Sequence, residues 1–82
     1  MENKEQIYST LKTVLIDEFD LDAEDITPQA SLFEDLDLDS IDAVDLAVKI
    51  RELTGKKIDP EQFKSVRTLQ DVVDCTAELL GL

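Results

Sequence analysis

The residues best suited to chemistry lie between Leu36 and Leu46, where the chain reads Leu-Asp-Leu-Asp-Ser-Ile-Asp-Ala-Val-Asp-Leu. Ser40 sits there among carboxylates, and the residue pattern changes at it. Asp37, Leu38 and Asp39 alternate polar and apolar, whereas Ile41, Val44 and Val48 recur at the three- and four-residue spacing of an amphipathic helix. The change predicts a helix beginning at the serine, with Asp39 as N-cap and Asp42 reaching back as a short capping-box partner. The Ser40 hydroxyl then lies exposed in the first turn, at the positive end of the helix dipole, where free backbone N–H groups favour an attached phosphate. Taken alone, Asp39-Ser40 reads more readily as a plain helix cap.

Several chemistries are closed to this serine. The chain has no histidine, so a serine–histidine–acid triad cannot form and Ser40 has no obvious base. One cysteine and no histidine argue against a zinc site, and Gly55 and Gly81, the only glycines, cannot make a phosphate-binding loop. Asp35, Asp37 and Asp39 have the spacing that opens an EF-hand loop, but Ser40 stands where the turn needs glycine and Leu46 where a bidentate Glu is required. No dedicated metal site is expected, and no catalytic residue.

Composition narrows the partners. Twenty acidic residues against eight basic ones give a net charge of -12 in 82 residues, which repels nucleic acid and anionic membrane surfaces and favours partners with basic patches. From Thr13 to Val48 the chain carries twelve Asp or Glu and no Lys or Arg. Cys75 has no partner for an internal disulfide, fits a reducing compartment, and falls in an apolar helical pattern that predicts packing rather than reactivity. No apolar run exceeds three residues, so neither a membrane span nor a secretory core is expected, and the location indicated is cytoplasmic. The expectation is one monomeric domain over residues 1–82.

The elements that must position Ser40 follow from periodicity. Ile7, Leu11, Val14 and Leu15 mark a first helix from about Asn3 to Glu18, with Tyr8 and Ile16 widening its apolar face. From Phe19 to Asp39 a long connection scatters Leu21, Ile26, Leu32, Phe33, Leu36 and Leu38, which predicts a segment packed across the bundle with a turn of helix at Ser31. The second helix ends at Thr54 before Gly55 and Lys56-Lys57. Its polar stripe, Asp42, Asp45, Lys49 and Glu52, is narrow, with an Asp45–Lys49 pair; Ile41, Val44, Leu46, Ala47, Val48, Ile50 and Leu53 fill the rest. That pattern predicts a helix buried on more than one side at the centre of the bundle, with Val44, Leu46, Ala47 and Val48 in the core or lining a cavity within it. Asp59-Pro60-Glu61-Gln62 predicts a short third helix, and Thr68 with Asp71 a last helix carrying Leu69, Val72, Val73, Ala77 and Leu80. The fold class is all-α, a four-helix bundle of three principal helices and one short helix with a long first loop.

With Asp39-Ser40-Ile41 at the start of the second helix, the chain resembles the acyl carrier proteins. The similarity runs from the first helix through Ser31-Leu32-Phe33-Glu34-Asp35-Leu36, the second helix, the Asp59-Pro60 start and Thr68 to Leu80. It implies a non-catalytic carrier on which a phosphopantetheinyl transferase attaches 4'-phosphopantetheine from coenzyme A to Ser40. Asp39 would assist the magnesium used in that step. Acyl groups would then ride as thioesters on the arm, presented to a ketosynthase, reductase, dehydratase or acyl ligase with basic docking patches. By the same resemblance the second helix is the recognition surface, with Asp42, Asp45, Ile41 and Glu52 as partner contacts.

Two positions depart from the usual pattern: Asp37 stands where many members have Gly, and Ile41 where most have Leu. Lys49 and Arg51 lie on a helix that is often more uniformly acidic, which points to a dedicated set of enzymes. The Ser40-Ile41-Asp42-Ala43-Val44 run with Thr54-Gly55-Lys56-Lys57 looks most like discrete accessory carriers of polyene-type or polyketide-like pathways, alongside fatty-acid-like biosynthesis. An aminoacyl or peptidyl carrier is the nearest variant, and an unmodified adaptor of the same fold is the rival from another class.

Overall fold

The computed structural model describes residues 2–58 and 65–82. Three α-helices form, α1 (Lys4–Phe19), α2 (Ser40–Thr54) and α3 (Leu69–Leu79), with a 3-10 turn at Ala23–Asp25; the described residues contain no strand, and the fold is all-α. The short helix expected from Asp59 lies outside the described residues.

Each helix begins where its cap dictates. Asn3 accepts from the Gln6 N–H at 2.9 Å to open α1. Thr68 accepts from the Asp71 N–H at 3.2 Å, while the Asp71 carboxylate accepts from the N–H groups of Thr68 (3.2 Å) and Arg67 (3.0 Å), the reciprocal capping box that opens α3. Gly55, at φ 69°, closes α2 with its N–H on the Arg51 carbonyl. Asp20 takes the same left-handed position after α1 at φ 57°.

The core joins Ile7, Leu11 and Leu15 of α1 to Leu69, Val72, Val73 and Ala77 of α3, all at most 2% exposed. Tyr8, half-buried, packs against this core and donates its hydroxyl to the Ile26 carbonyl at 3.2 Å, tying α1 to the loop. Cys75 is half-buried beside the core, and burial together with Glu78 pushes its thiol above the ordinary value, so the inert reading of this residue stands.

The placement of α2 corrects the sequence-based expectation. Among the described helices it is α1 and α3 that approach closely, while α2 contributes Leu46 (0% exposed) and Ile50 (1%) from one side. Val44 and Val48, expected in the core, are 62% and 48% exposed, and Ile41 and Leu53 are exposed too. Helical spacing reports an apolar arc but not whether a neighbour exists to cover it, and here only the Leu46–Ile50 arc meets one.

The long loop is a packed segment. Ile26, Ala30, Leu32, Leu36 and Leu38 are buried, and its backbone is bonded to the entry of α3: Leu32 N–H to the Arg67 carbonyl at 2.9 Å, Leu69 N–H to Ala30 at 3.1 Å, and Gln70 N–H to Pro28 at 2.9 Å. The turn expected at Ser31 is present, its hydroxyl accepting from the Glu34 N–H and its own N–H donating to Asp35, but it does not extend into a helix.

Backbone N–H groups hold the Asp71 carboxyl below the ordinary carboxylate range. A folded-state value below the unfolded one means that this contribution is complete above the unfolded pKa and is lost as pH falls through the folded one. Asp71→Ala is therefore expected to lower unfolding free energy by about 1 kcal/mol at neutral pH. In urea titrations at salt high enough to screen surface charge, its difference from the native chain should shrink below about pH 4.

Candidate functional site

The approach to Ser40 is set by alternation. Leu36 (3% exposed) and Leu38 (7%) point into the core, so Asp37 and Asp39 between and after them face out. The Leu38 N–H donates to the Leu32 carbonyl at 3.0 Å, which fixes this run against the turn before it. Asp37 adopts φ 56°, the left-handed conformation that glycine occupies without strain and that Asp tolerates better than most side chains. The residue that departs from the usual glycine thus adopts a glycine-type backbone conformation.

Asp39 is extended (φ -107°, ψ -175°), and its Oδ1 accepts from the Asp42 N–H at 2.9 Å while Asp42 Oδ2 accepts from the Asp39 N–H at 3.2 Å. This is the capping box expected from the sequence, and it makes Ser40 the first helical residue of α2. The Asp39 carbonyl takes the Ala43 N–H at 3.0 Å. The amides of Ser40 and Ile41 have no acceptor among the described residues, which leaves first-turn donors at the positive helix end beside the serine.

Ser40 is exposed, and its hydroxyl makes no hydrogen bond to a described residue. The chain has no histidine to act as a base for this hydroxyl. The site can offer an accessible acceptor for a group delivered by another enzyme, and it can hold an attached phosphate near two free amides and the helix dipole.

The surrounding candidates are brought to one surface. Asp35, Asp37, Asp39 and Asp45 are exposed around the start of α2, and Asp42 is half-buried in its first turn. The expected Asp45–Lys49 pair is absent: Lys49 turns to Glu18 at the end of α1 (3.5 Å) and to Glu52 (3.8 Å). Glu18 lies on a neighbouring element that helix spacing could not reveal, and the consequence is that Asp45 keeps its full charge for solvent while that of Glu52 is partly compensated. No group of three or more His, Cys, Asp or Glu among the described residues is arranged to hold a metal ion.

Residues that sequence reasoning missed are Val44 and Val48, which stand outward beside Ile41 and Asp45. A signal existed. The arc holding Val44 and Val48 also holds Asp45, Arg51 and Glu52, and three charges on one arc mark it as facing water.

Comparison with known proteins bears on this geometry. A family model described as the phosphopantetheine attachment site matches residues 9–76. Acyl carrier protein 2 of Ralstonia nicotianae is 51% identical over 76 residues, covering 93% of this chain and 94% of that protein. The acyl carrier protein of Coprothermobacter proteolyticus is 39% identical over 71 residues, 87% of each chain. The crystal structure of an acyl carrier protein from Thermotoga maritima superposes with a TM-score of 0.84 at 20% identity, over 95% of this chain and 91% of that one, and so supports the fold.

The left-handed Asp37 yields a test of the site's architecture. Asp37→Gly is expected to raise unfolding free energy by about 0.5–1 kcal/mol by relieving the positive-φ strain. Asp37→Asn, which removes the charge and keeps the side chain, should recover less than half of that in the same denaturant titrations.

Proposed function

The chain belongs to the acyl carrier proteins and carries their phosphopantetheine attachment domain; from that premise, we propose that Ser40 is the residue modified. The observation that carries this reading is the exposed Ser40 hydroxyl on the first residue of α2, without an internal base or hydrogen-bond partner. Residues 1–82 act as a single, monomeric carrier domain that catalyses nothing itself. A phosphopantetheinyl transferase supplies the base and coenzyme A supplies the electrophile.

This chain's own residues position and recognise. Leu36 and Leu38, buried in the core, hold Ser40 at the surface against the pull of the loop. Asp39 keeps Oδ1 on the Asp42 amide, which leaves Oδ2 free to assist the magnesium of the attachment step. The first-turn amides favour the phosphate once it is on Ser40. The 4'-phosphopantetheine arm supplies a terminal thiol that carries acyl groups as thioesters, and tethering raises their effective concentration at whichever enzyme docks.

Recognition falls to α2. Asp42 and Asp45 meet basic patches on a ketosynthase, reductase, dehydratase, acyl ligase or the transferase, Ile41 beside the serine adds apolar contact, and Glu52 contributes less because Lys49 shares its charge. The exposed Val44 and Val48 join Ile41 in that contact. Lys49 and Arg51 favour a dedicated enzyme set in a fatty-acid-like or polyketide-like pathway, acting in the cytoplasm. No helix among the described residues is long and apolar enough to cross a membrane, consistent with that location.

Intact-mass analysis after incubation with coenzyme A, magnesium and a broad-specificity phosphopantetheinyl transferase should show a gain of one phosphopantetheine, mapped to Ser40. Ser40→Ala should fold normally and gain nothing. No gain on the folded native chain, with a control carrier loaded in parallel, would favour an unmodified adaptor. Reversing Asp42 and Asp45 to Lys should slow loading about tenfold at low salt and flatten its salt dependence; unchanged rates would remove these residues from the docking surface.

A further inference from the structure

The outward face of α2 is acidic toward Ser40, while its far end holds Arg51 together with Glu52, whose charge Lys49 partly offsets. Ile41, Val44 and Val48, at 71%, 62% and 48% exposure, make an apolar ridge along the helix. At the Ser40 end Asp45 is exposed on the edge of this ridge and the N-cap Asp39 is exposed at its start, with Asp35 and Asp37 exposed in the segment that leads to it. At the other end Arg51 is exposed on the edge of the ridge opposite Asp45, three residues beyond Val48, and Lys56 and Lys57 follow it, exposed, past Gly55. None of these three cations makes an ion pair with a described residue, whereas Lys49 is spent on Glu18 and Glu52. Arg51 lies roughly 16 Å further along the helix axis than Ser40.

Lys56 and Lys57 by themselves suffice to complement the negative end of the α2 dipole. The dipole does not require a further cation on the outward arc, against the apolar ridge. A uniformly basic partner would be attracted beside Ser40 and repelled at Arg51, so such a partner fits this face poorly.

We propose that the α2 ridge docks an enzyme surface of mixed charge: basic beside the mouth that receives the arm, apolar along the ridge, and acidic where it meets Arg51 and Lys56. This rests on the carrier reading above and adds to it the chemistry of the partner. An apolar ridge with a repeat of three to four residues can be gripped one turn out of register at little cost. Opposite charges at its two ends assign a direction and a register, and they reject enzymes whose docking patch is basic throughout. Arg51 is thus a specificity residue for the acyl-handling enzymes, while attachment at Ser40, at the acidic end, does not depend on it.

The test uses ketosynthase- and acyltransferase-type enzymes purified from the source organism and chosen because they turn over the loaded native carrier. Arg51→Glu is expected to lower kcat/KM about five- to tenfold for at least one of them, through KM and not kcat. Arg51→Lys should stay within about twofold, and the triple reversal of Arg51, Lys56 and Lys57 to Glu should lose more than Arg51→Glu alone. The rate of Ser40 loading by the transferase should be unchanged in Arg51→Glu, which also controls for folding. If Arg51→Glu leaves every enzyme unaffected or makes them faster, the partners are neutral or basic at that point and the proposal is overturned. If the native chain is not loaded at Ser40 at all, the carrier reading fails first, and this one falls with it.

Discussion

Twenty residues separate the end of α1 from the start of α2, and their backbone must find partners inside a domain of 82 residues. Many of these partners lie within the loop itself, and Pro28, Ala30 and Leu32 exchange hydrogen bonds with Arg67, Leu69 and Gln70 at the entry to α3, which anchors the segment to the bundle. Unpaired backbone groups in a buried segment would cost more than a domain of this size has to spare. With that junction made, Ile26, Leu32, Leu36 and Leu38 can be buried, and the chain arrives at Ser40 from a fixed direction. The serine is exposed because the leucines on either side of Asp37 are not.

The second constraint is that α2 is bound to the core by little more than Leu46 and Ile50. Its outward Ile41, Val44 and Val48 remain 71%, 62% and 48% exposed. Residues of this type on an outward helix arc contribute when another surface covers them. Stability and the proposed recognition therefore use different arcs of one helix. The charged residues divide in the same way, since Lys49 ties α2 to the end of α1 while Asp45 and Arg51, at the edges of the ridge, make no ion pair with a described residue.

Charge acts on both levels. A net charge of -12 opposes compaction, yet the carboxylates of Asp39, Asp42 and Asp71 are built into helix caps where the dipole and the backbone amides favour them. Asp74 likewise bridges to Lys4 at 3.0 Å and accepts from Gln70 across the α1–α3 contact, which holds its carboxyl below the ordinary range. Other acidic residues, among them Asp35, Asp37 and Asp45, are exposed, and their mutual repulsion is a cost to the isolated domain.

Helix starts were legible in the sequence because capping is local. Asn3, Asp39 and Thr68 each lie three residues before the amide they cap, and Gly55 marks the end of α2 by a backbone conformation that few other residues accept. Ser40 was legible for the same reason, since the change from alternating to helical period falls on it. The charges of Asp45, Arg51 and Glu52 hinted at the outward arc of α2, but the sequence did not show that Lys49 would choose Glu18 over Asp45 or that the loop would pair with the entry to α3. An amphipathic pattern states which residues gain from burial, and only the packed chain, with a finite number of neighbours to offer, decides which of them obtain it. Val44 and Val48 did not, and a helix that reads as a core element leaves an apolar arc in water.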